Sequence, residues 1–446
     1  MKNLKMIFAI FLGVLLIFGW VSYAMSTSKD LISYRENIKN AEEYTESGLY
    51  YRAIDCYADA IKIRPSEKNW ELLIGVCELN LVEYPDFLDD YIDYLEDAVA
   101  QYPKNSAFII CLANAYYTDE SYTSAYRTVK KAVDNGVEDE EVITLERKLK
   151  YVYRLKGSVF SEFYSPIDKE YSVHGSSGWG TMETEGRASN TWDNRYYGPI
   201  GEDGEKIVTK ENLGTRLYDK DDKVLAIFKD DVLSAGRFSE GYIAIEFAEG
   251  QYEYYDEFGE KVFGPYEMAG TFNDGLAAVK QNGKWGIIND KGEFKVNPEF
   301  DEIVLDNYGY FNKQKIVIAC KNGKYGFYDE TLKSKNDFTA DKMDIPTKDG
   351  IIAFCQNSKW GYVDEDGKVI IEPTYEDALS FSNGLAAICQ NGKWGFIDKD
   401  NNIVIECDFA GADYFTKEGS CCVRLIAPEN ENNPAEWQVL VLELGL

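Results

Sequence analysis

One histidine, nine cysteines and 77 acidic residues bound the chemistry open to this 446-residue chain. His174 stands in HGSSG, which is not the strained turn that exposes a serine nucleophile. A histidine-based triad could form only there. No H-E-x-x-H, phosphate-loop or dinucleotide fingerprint occurs. The carboxylates could supply a glycosidase pair, but no spacing singles out two of them. The acidic turns DKDD (219–222), DEDG (364–367) and DKDN (398–401) resemble pieces of calcium loops. They lack the central Gly and distant Glu of a twelve-residue site. They stand where Asp, Asn and Gly reverse a strand for backbone reasons, with weak surface calcium as the alternative. Cys320, Cys355 and Cys389 each precede an aromatic by five residues, and stacked thiols would suit a metal. Lys280 fills that place in another copy, however, and buried Cys packs as a small apolar residue. The adjacent Cys421 and Cys422 point to opposite faces of a strand. The expectation is no catalytic residue, no cofactor and no metal.

The aromatic after each of these positions belongs to a longer motif. KQNGKWGIIN (280–289), CKNGKYGFYD (320–329), CQNSKWGYVD (355–364) and CQNGKWGFID (389–398) are close copies. Trp285, Tyr325, Trp360 and Trp394 are followed by Gly286, Gly326, Gly361 and Gly395 and lie 40, 35 and 34 residues apart. Weaker copies centre on Trp179, Thr215 and Tyr252. A second marker repeats as FSEGYIAI (238–245), FNDGLAAV (272–279) and FSNGLAAI (381–388).

Local chemistry makes each copy a small antiparallel sheet. In 384–415, GLAAICQ and KWGFID form a hairpin across Asn391-Gly392, a pair suited to a type I′ turn. NIVIEC gives a third strand and DFAGADYF a fourth. A two-residue loop places Gln390 opposite Lys393, Cys389 opposite Trp394, Ile388 opposite Gly395 and Ala387 opposite Phe396. One face then carries Ala387, Cys389, Trp394 and Phe396, and the other Ala386, Ile388 and Ile397. Both faces are apolar, so neighbouring sheets must cover them. Gly395 leaves room for a close neighbour. The ring across from a small residue reads as core, the more so because Tyr and Thr replace it. The alternative is that some rings line sheet edges and stack on sugars.

The motif resembles the WG, or KWG, repeat, over about residues 170–446. The resemblance implies a repeat array of secreted or envelope proteins and carries no catalytic residues. Four short strands per unit suit propeller blades, with an open β-solenoid as the alternative. CCVRLI (421–426) and EWQVLVLEL (436–444) read as the first two strands of a last, incomplete copy. This gives about seven units and a partial eighth over 157–446, with the two ends sharing a blade.

Residues 30–156 have helical periodicity instead. Ala41, Tyr44, Ala53, Tyr57 and Ala60 find counterparts 72 residues on in Ala113, Tyr116, Ala125, Val129 and Ala132. A stretched copy lies between, with Trp70, Leu73, Gly75, Leu95 and Ala98. The pattern resembles tetratricopeptide repeats, helix pairs of about 34 residues. A last helix over 140–156 would cap the array. A plain helical bundle is the alternative. The resemblance implies a peptide-holding groove lined by Glu42, Thr45, Asn114 and Tyr117.

Lys2 and Lys5 precede a charge-free apolar run over 7–25. Residues 1–29 therefore read as a transmembrane signal anchor, or as a signal peptide cut after Ala24 and releasing a secreted protein. Either puts the bulk of the chain outside the cytoplasm and leaves membrane contact to the N-terminal segment alone. The net charge of −30 disfavours nucleic acid and anionic lipid surfaces. The expected fold is α-solenoid followed by an all-β array. The expected function is a non-enzymatic scaffold for envelope or extracellular proteins. Wall or glycan binding is the alternative, and a carboxylate-dependent glycan hydrolase a distant one.

Overall fold

The computed structural model describes residues 28–167, 169–188, 193–314, 316–426 and 436–445. The apolar run 7–25 lies outside them. No helix among the described residues is long and apolar enough to cross a membrane. The chain divides into two compact units, one ending at Lys150 and the other beginning at Tyr151.

The first unit is built from antiparallel helix pairs: α1 (28–46) with α2 (Tyr50–Ile63), α3 (Glu67–Glu83) with α4 (Leu88–Gln101), and α5 (Ser106–Thr118) with α6 (Tyr122–Asp134). The single helix α7 (Glu140–Lys150) follows. The alanines of the repeat are the crossing points: Ala41, Ala53, Ala60, Ala98, Ala113 and Ala125 are fully buried. Tyr57, Trp70, Leu73 and Leu95 fill the spaces beside them. Ser66 and Asn105 cap α3 and α5 by accepting from the backbone N–H three residues on. The extra residues of the middle copy form a 3-10 turn, Pro85–Phe87, ahead of α4. Acidic residues open α7 and basic ones close it, as the helix dipole favours.

The expected helix over 140–156 stops at Lys150. Tyr151, Val152 and Tyr153 are aromatic and β-branched, and Tyr153–Phe160 is a strand. Its backbone is claimed by a distant partner, Trp437–Leu442, with Leu155 opposite Leu440.

The second unit is an eight-bladed β-propeller, not an open solenoid. Its sheets cover 162–183, 196–228, 234–266, 268–300, 302–328, 342–375, 377–409 and 411–442, numbered here as blades 1 to 8. Seven apolar clusters join each blade to the next, and an eighth between blades 8 and 1 closes the ring. The strand 153–160 is the outermost of blade 8, so both ends of the propeller chain share that blade.

Within blade 7 the register is the one the Asn-Gly turn dictates, including Cys389 opposite Trp394 and Ile388 opposite Gly395. Ala387 and Phe396 face blade 8, while Ala386, Ile388 and Ile397 face blade 6. Cys421 and Cys422 likewise face blades 7 and 1. The phase of the repeat differs from the expected one. Ile403–Phe409 is the outermost strand of blade 7, and Gly411–Ala412 is the innermost of blade 8. DFAGADYF thus spans two blades, and 421–426 and 436–444 hold second and third strands rather than first and second. The residue pair at the link is too short to show strand periodicity.

Candidate functional site

Antiparallel order gives every blade two unlike ends. At one end the second and third strands meet in the NGKW hairpin. At the other, an inner loop joins the innermost strand to the second.

The hairpin end is occupied by architecture. Asn282, Asn322, Asn357 and Asn391 have φ of 52–55°, as a type I′ turn requires. An acidic residue before the innermost strand accepts from a backbone N–H of that turn: Glu267 from Gly283, Asp301 from Gly323, Asp341 from Asn357, and Glu376 from Gly392. The motif lysines reach acids on the approach to the following blade, pairing Lys284 with Asp301, Lys324 with Asp341 and Lys393 with Asp408. These pairings hold Asp301 and Asp341 below the usual carboxylate range.

The motif ring occupies one position in seven blades, as Trp179, Tyr252, Trp285, Tyr325, Trp360, Trp394 and Trp437, and Thr215 takes that position in blade 2. Trp437 escaped the sequence comparison because a long insertion separates it from its hairpin partner Arg424. Trp179 and Trp285 are buried, whereas Tyr325, Trp360 and Trp394 are half-buried. The neighbour that Gly395 admits is the outermost strand of its own blade, which bulges across it. A Cβ there would stand 2.6 Å from the Ile405 carbonyl oxygen, and one on Gly361 2.4 Å from that of Ile371. Only glycine fits beneath the bulge.

The remaining chemical candidates are also accounted for locally. Cys320, Cys355 and Cys389 are buried free thiols, and burial raises their pKa. His174 takes the same position in blade 1, beside Trp179 and 2.8 Å from the Ser161 hydroxyl. In the acidic turns, the first Asp accepts from backbone N–H groups two and four residues on, as at Asp219, Asp364 and Asp398. No cluster suited to a metal ion occurs among the described residues.

Of the groove residues, Asn114 lines a hollow with Glu78, Tyr91 and Cys111. Glu42 and Tyr117 are exposed elsewhere, the Tyr117 ring edge-on to Tyr122 at 5.3 Å. The Thr45 hydroxyl donates back to the Ala41 carbonyl. The structure does not bring the four together in that hollow.

The inner loops converge on a different feature, a cavity of about 480 Å³ in the propeller. Blade 5 dominates it. Its inner loop, 304–316, replaces the short FSNG-type link and reaches across to other blades. Thr271 of blade 4 donates to the Tyr308 carbonyl at 2.9 Å. Arg237 of blade 3 lies 4.7 Å from the centre of the Tyr308 ring. Lys313 pairs with Glu202 of blade 2, and Asn307 Nδ2 donates to Asp413 of blade 8 at 3.3 Å. Arg237 is 2% exposed and gives its two terminal nitrogens to the Ile200 and Ser165 carbonyls, tying blades 1, 2 and 3 together. Burial lowers its pKa to about 10.

Half-buried carboxyls border this region. Asp306 accepts from the Tyr308 and Tyr310 N–H groups at 2.9 Å, yet burial pushes its pKa up to about 6. Asp413 is raised by burial to about 7, with the charge of Asp344 adding to the shift. Asp344 is raised by burial although it accepts from the Tyr414 hydroxyl and the Ser380 N–H. Glu202 moves the other way, because Lys313 outweighs its partial burial. The arrangement can accept hydrogen bonds and balance positive charge.

Residues 254–285, 285–325, 360–394 and 394–425 match the family model for the WG containing repeat. These four segments are WG repeats. No curated protein matches it. Among solved structures, BamB from Moraxella catarrhalis is 9% identical, with 65% of this chain and 100% of that chain covered at a TM-score of 0.44. The Dos1 propeller is 9% identical, covering 66% and 95% at a TM-score of 0.40. A tetratricopeptide repeat protein from Parabacteroides merdae is 18% identical, covering 26% of this chain and 45% of that one at a TM-score of 0.22.

Proposed function

We propose that this WG-repeat chain is a non-enzymatic binding scaffold held at the outer face of a membrane by residues 1–29. Its helical repeats hold one protein segment, and its propeller offers the inner-loop end to a second envelope or extracellular partner. One observation carries this reading. The repeated motif residues are consumed at the hairpin end by capping and packing, while non-repeated residues of five blades, joined by Ser382 and Asn383 of the FSNG link, converge on one cavity. That division is what a binding surface on a repeat frame requires. The lone histidine lies outside the cavity lining, which supports a binding role over histidine-based catalysis. The anchor and the location rest on the basic, then apolar, N-terminal sequence.

Affinity capture from envelope extract with the tagged full chain tests the proposal. Retention of defined proteins in constant stoichiometry is the expected result. Retention of polysaccharide alone would replace the scaffold with a glycan-binding propeller. New reducing ends from incubated glycan, lost on substitution of a cavity carboxyl, would replace it with a hydrolase.

A further inference from the structure

Glu202, Asp349 and Glu418 each make a direct ion pair in the cavity, whereas Asp306 feels Arg237 and Lys313 only at longer range and Asp413 makes no ion pair among the described residues. Glu202 meets Lys313, Asp349 meets Lys399 at 3.3 Å, and Glu418 meets Lys417 at 3.7 Å. Asp306 and Asp413 have no ion-pair partner among the described residues, although both line the cavity. Asn307 stands between them, next to one in the chain and hydrogen-bonded to the other. Its amide donor is used there, which leaves its carbonyl oxygen as an acceptor. Tyr310 supplies a separate observation. It lines the cavity and is 2% exposed, and its hydroxyl has no hydrogen-bond partner. Glu202 and Ser239 lie near that hydroxyl but outside hydrogen-bond geometry. A buried hydroxyl left unpaired costs free energy unless something occupies the space before it.

We propose that this cavity binds an organic cation, an alkylammonium or guanidinium group, with Asp306 and Asp413 as counter-charges. Asn307 and Tyr310 supply further acceptors for its N–H groups. A volume of about 480 Å³ accommodates a Lys or Arg side chain with its flanking backbone, or a free diamine. The Tyr308 and Tyr310 rings offer a sugar at most one open face each. Arg237 already covers Tyr308, and Lys313 lies 4.5 Å from the centre of the Tyr310 ring, so each ring has one face taken. The acidity of the whole chain steers cations towards it. This inference deepens the binding reading above by naming the chemistry of one partner group.

Calorimetric titration of the full chain at pH 8, where both carboxyls are ionised, with three probes tests it: putrescine, acetyl-Gly-Lys-Gly-amide, and the same peptide with norleucine. The lysine peptide or putrescine should bind at least about tenfold more tightly than the norleucine peptide, as expected for charge-assisted hydrogen bonds. Tighter binding of the peptide assigns the source to a protein segment, and tighter binding of putrescine to a free amine. Asp413→Asn and Tyr310→Phe should each weaken the preferred cation, the first by about tenfold and the second by about threefold. Equal binding of the norleucine peptide, no binding by either cation, or unchanged affinity in both variants would overturn the site. Partner capture by the full chain would be unaffected by such a failure, so the scaffold and the cation site fail separately.

Discussion

The two ends of each blade are built on opposite principles. At the hairpin end, blades 4 to 7 share a left-handed Asn and a capping acid, and blades 4, 6 and 7 also set a glycine beneath a bulge of the outermost strand. At the inner-loop end, neighbouring blades differ. Blade 7 keeps the short FSNG link, blade 6 has IPTKDG, and blade 5 crosses towards blades 2, 3 and 8. The difference teaches that repetition in this molecule marks the frame, and departure from repetition marks the candidate site.

Substitutions can break that contrast or make it sharper. Trp285→Ala at the hairpin end should destabilise the propeller by about 3–5 kcal/mol, since the ring is buried. Trp394→Ala should cost about half as much, because its ring is half-exposed. Denaturant unfolding measures both, and equal losses would contradict the difference in burial. Gly361→Ala should cost about 3 kcal/mol, because the new Cβ meets backbone at 2.4 Å and 2.7 Å. Gly326→Ala, where the nearest atom is at 3.2 Å, should cost about 1 kcal/mol. A reversed order would show that the bulge is not what requires glycine.

At the inner-loop end the expected effect is on pH dependence. An unfolded Asp ionises near pH 4, whereas folded Asp413 keeps its proton to about pH 7. The folded state therefore binds the extra proton between those values, and stability falls as pH rises through that window. Asp413→Asn should remove roughly 1–2 kcal/mol of this fall, less than the full linkage because the carboxyl borders the cavity. Unfolding midpoints of both proteins between pH 4 and 8 test it, and parallel curves would refute the assignment. The smallest effect returns to the hairpin. Ser358 holds φ of 63° where three other copies have Gly, so Ser358→Gly should stabilise by about 1 kcal/mol.

The same contrast explains what could be read beforehand. The register of 385–398 follows from one Asn-Gly pair and a two-residue loop, so local chemistry settles it. Alternating apolar residues on both faces required stacked sheets, and the alanine spacing required paired helices. The phase of the blades was not legible, because innermost strands such as Gly411–Ala412 carry only two residues. The cavity was missed for a different reason. The path of 304–316 is fixed by partners as distant as Asp413, 106 positions along, and by Arg237, whose burial nothing nearby signals. A clue was present all the same. FSEG, FNDG and FSNG recur at 238–241, 272–275 and 381–384, and the corresponding stretches of blades 5, 6 and 8 abandon the pattern.

The shared blade has a consequence for biogenesis. The strand 153–160 leads the propeller off the ribosome, yet its partner, 437–442, is the last strand of the propeller to be made. Until then the ring lacks its closing ladder, with a free sheet edge at each end. Closure therefore reports that every blade of the propeller has been made. A prematurely terminated chain retains that open edge, which marks it for chaperones and proteases before it can act as a scaffold.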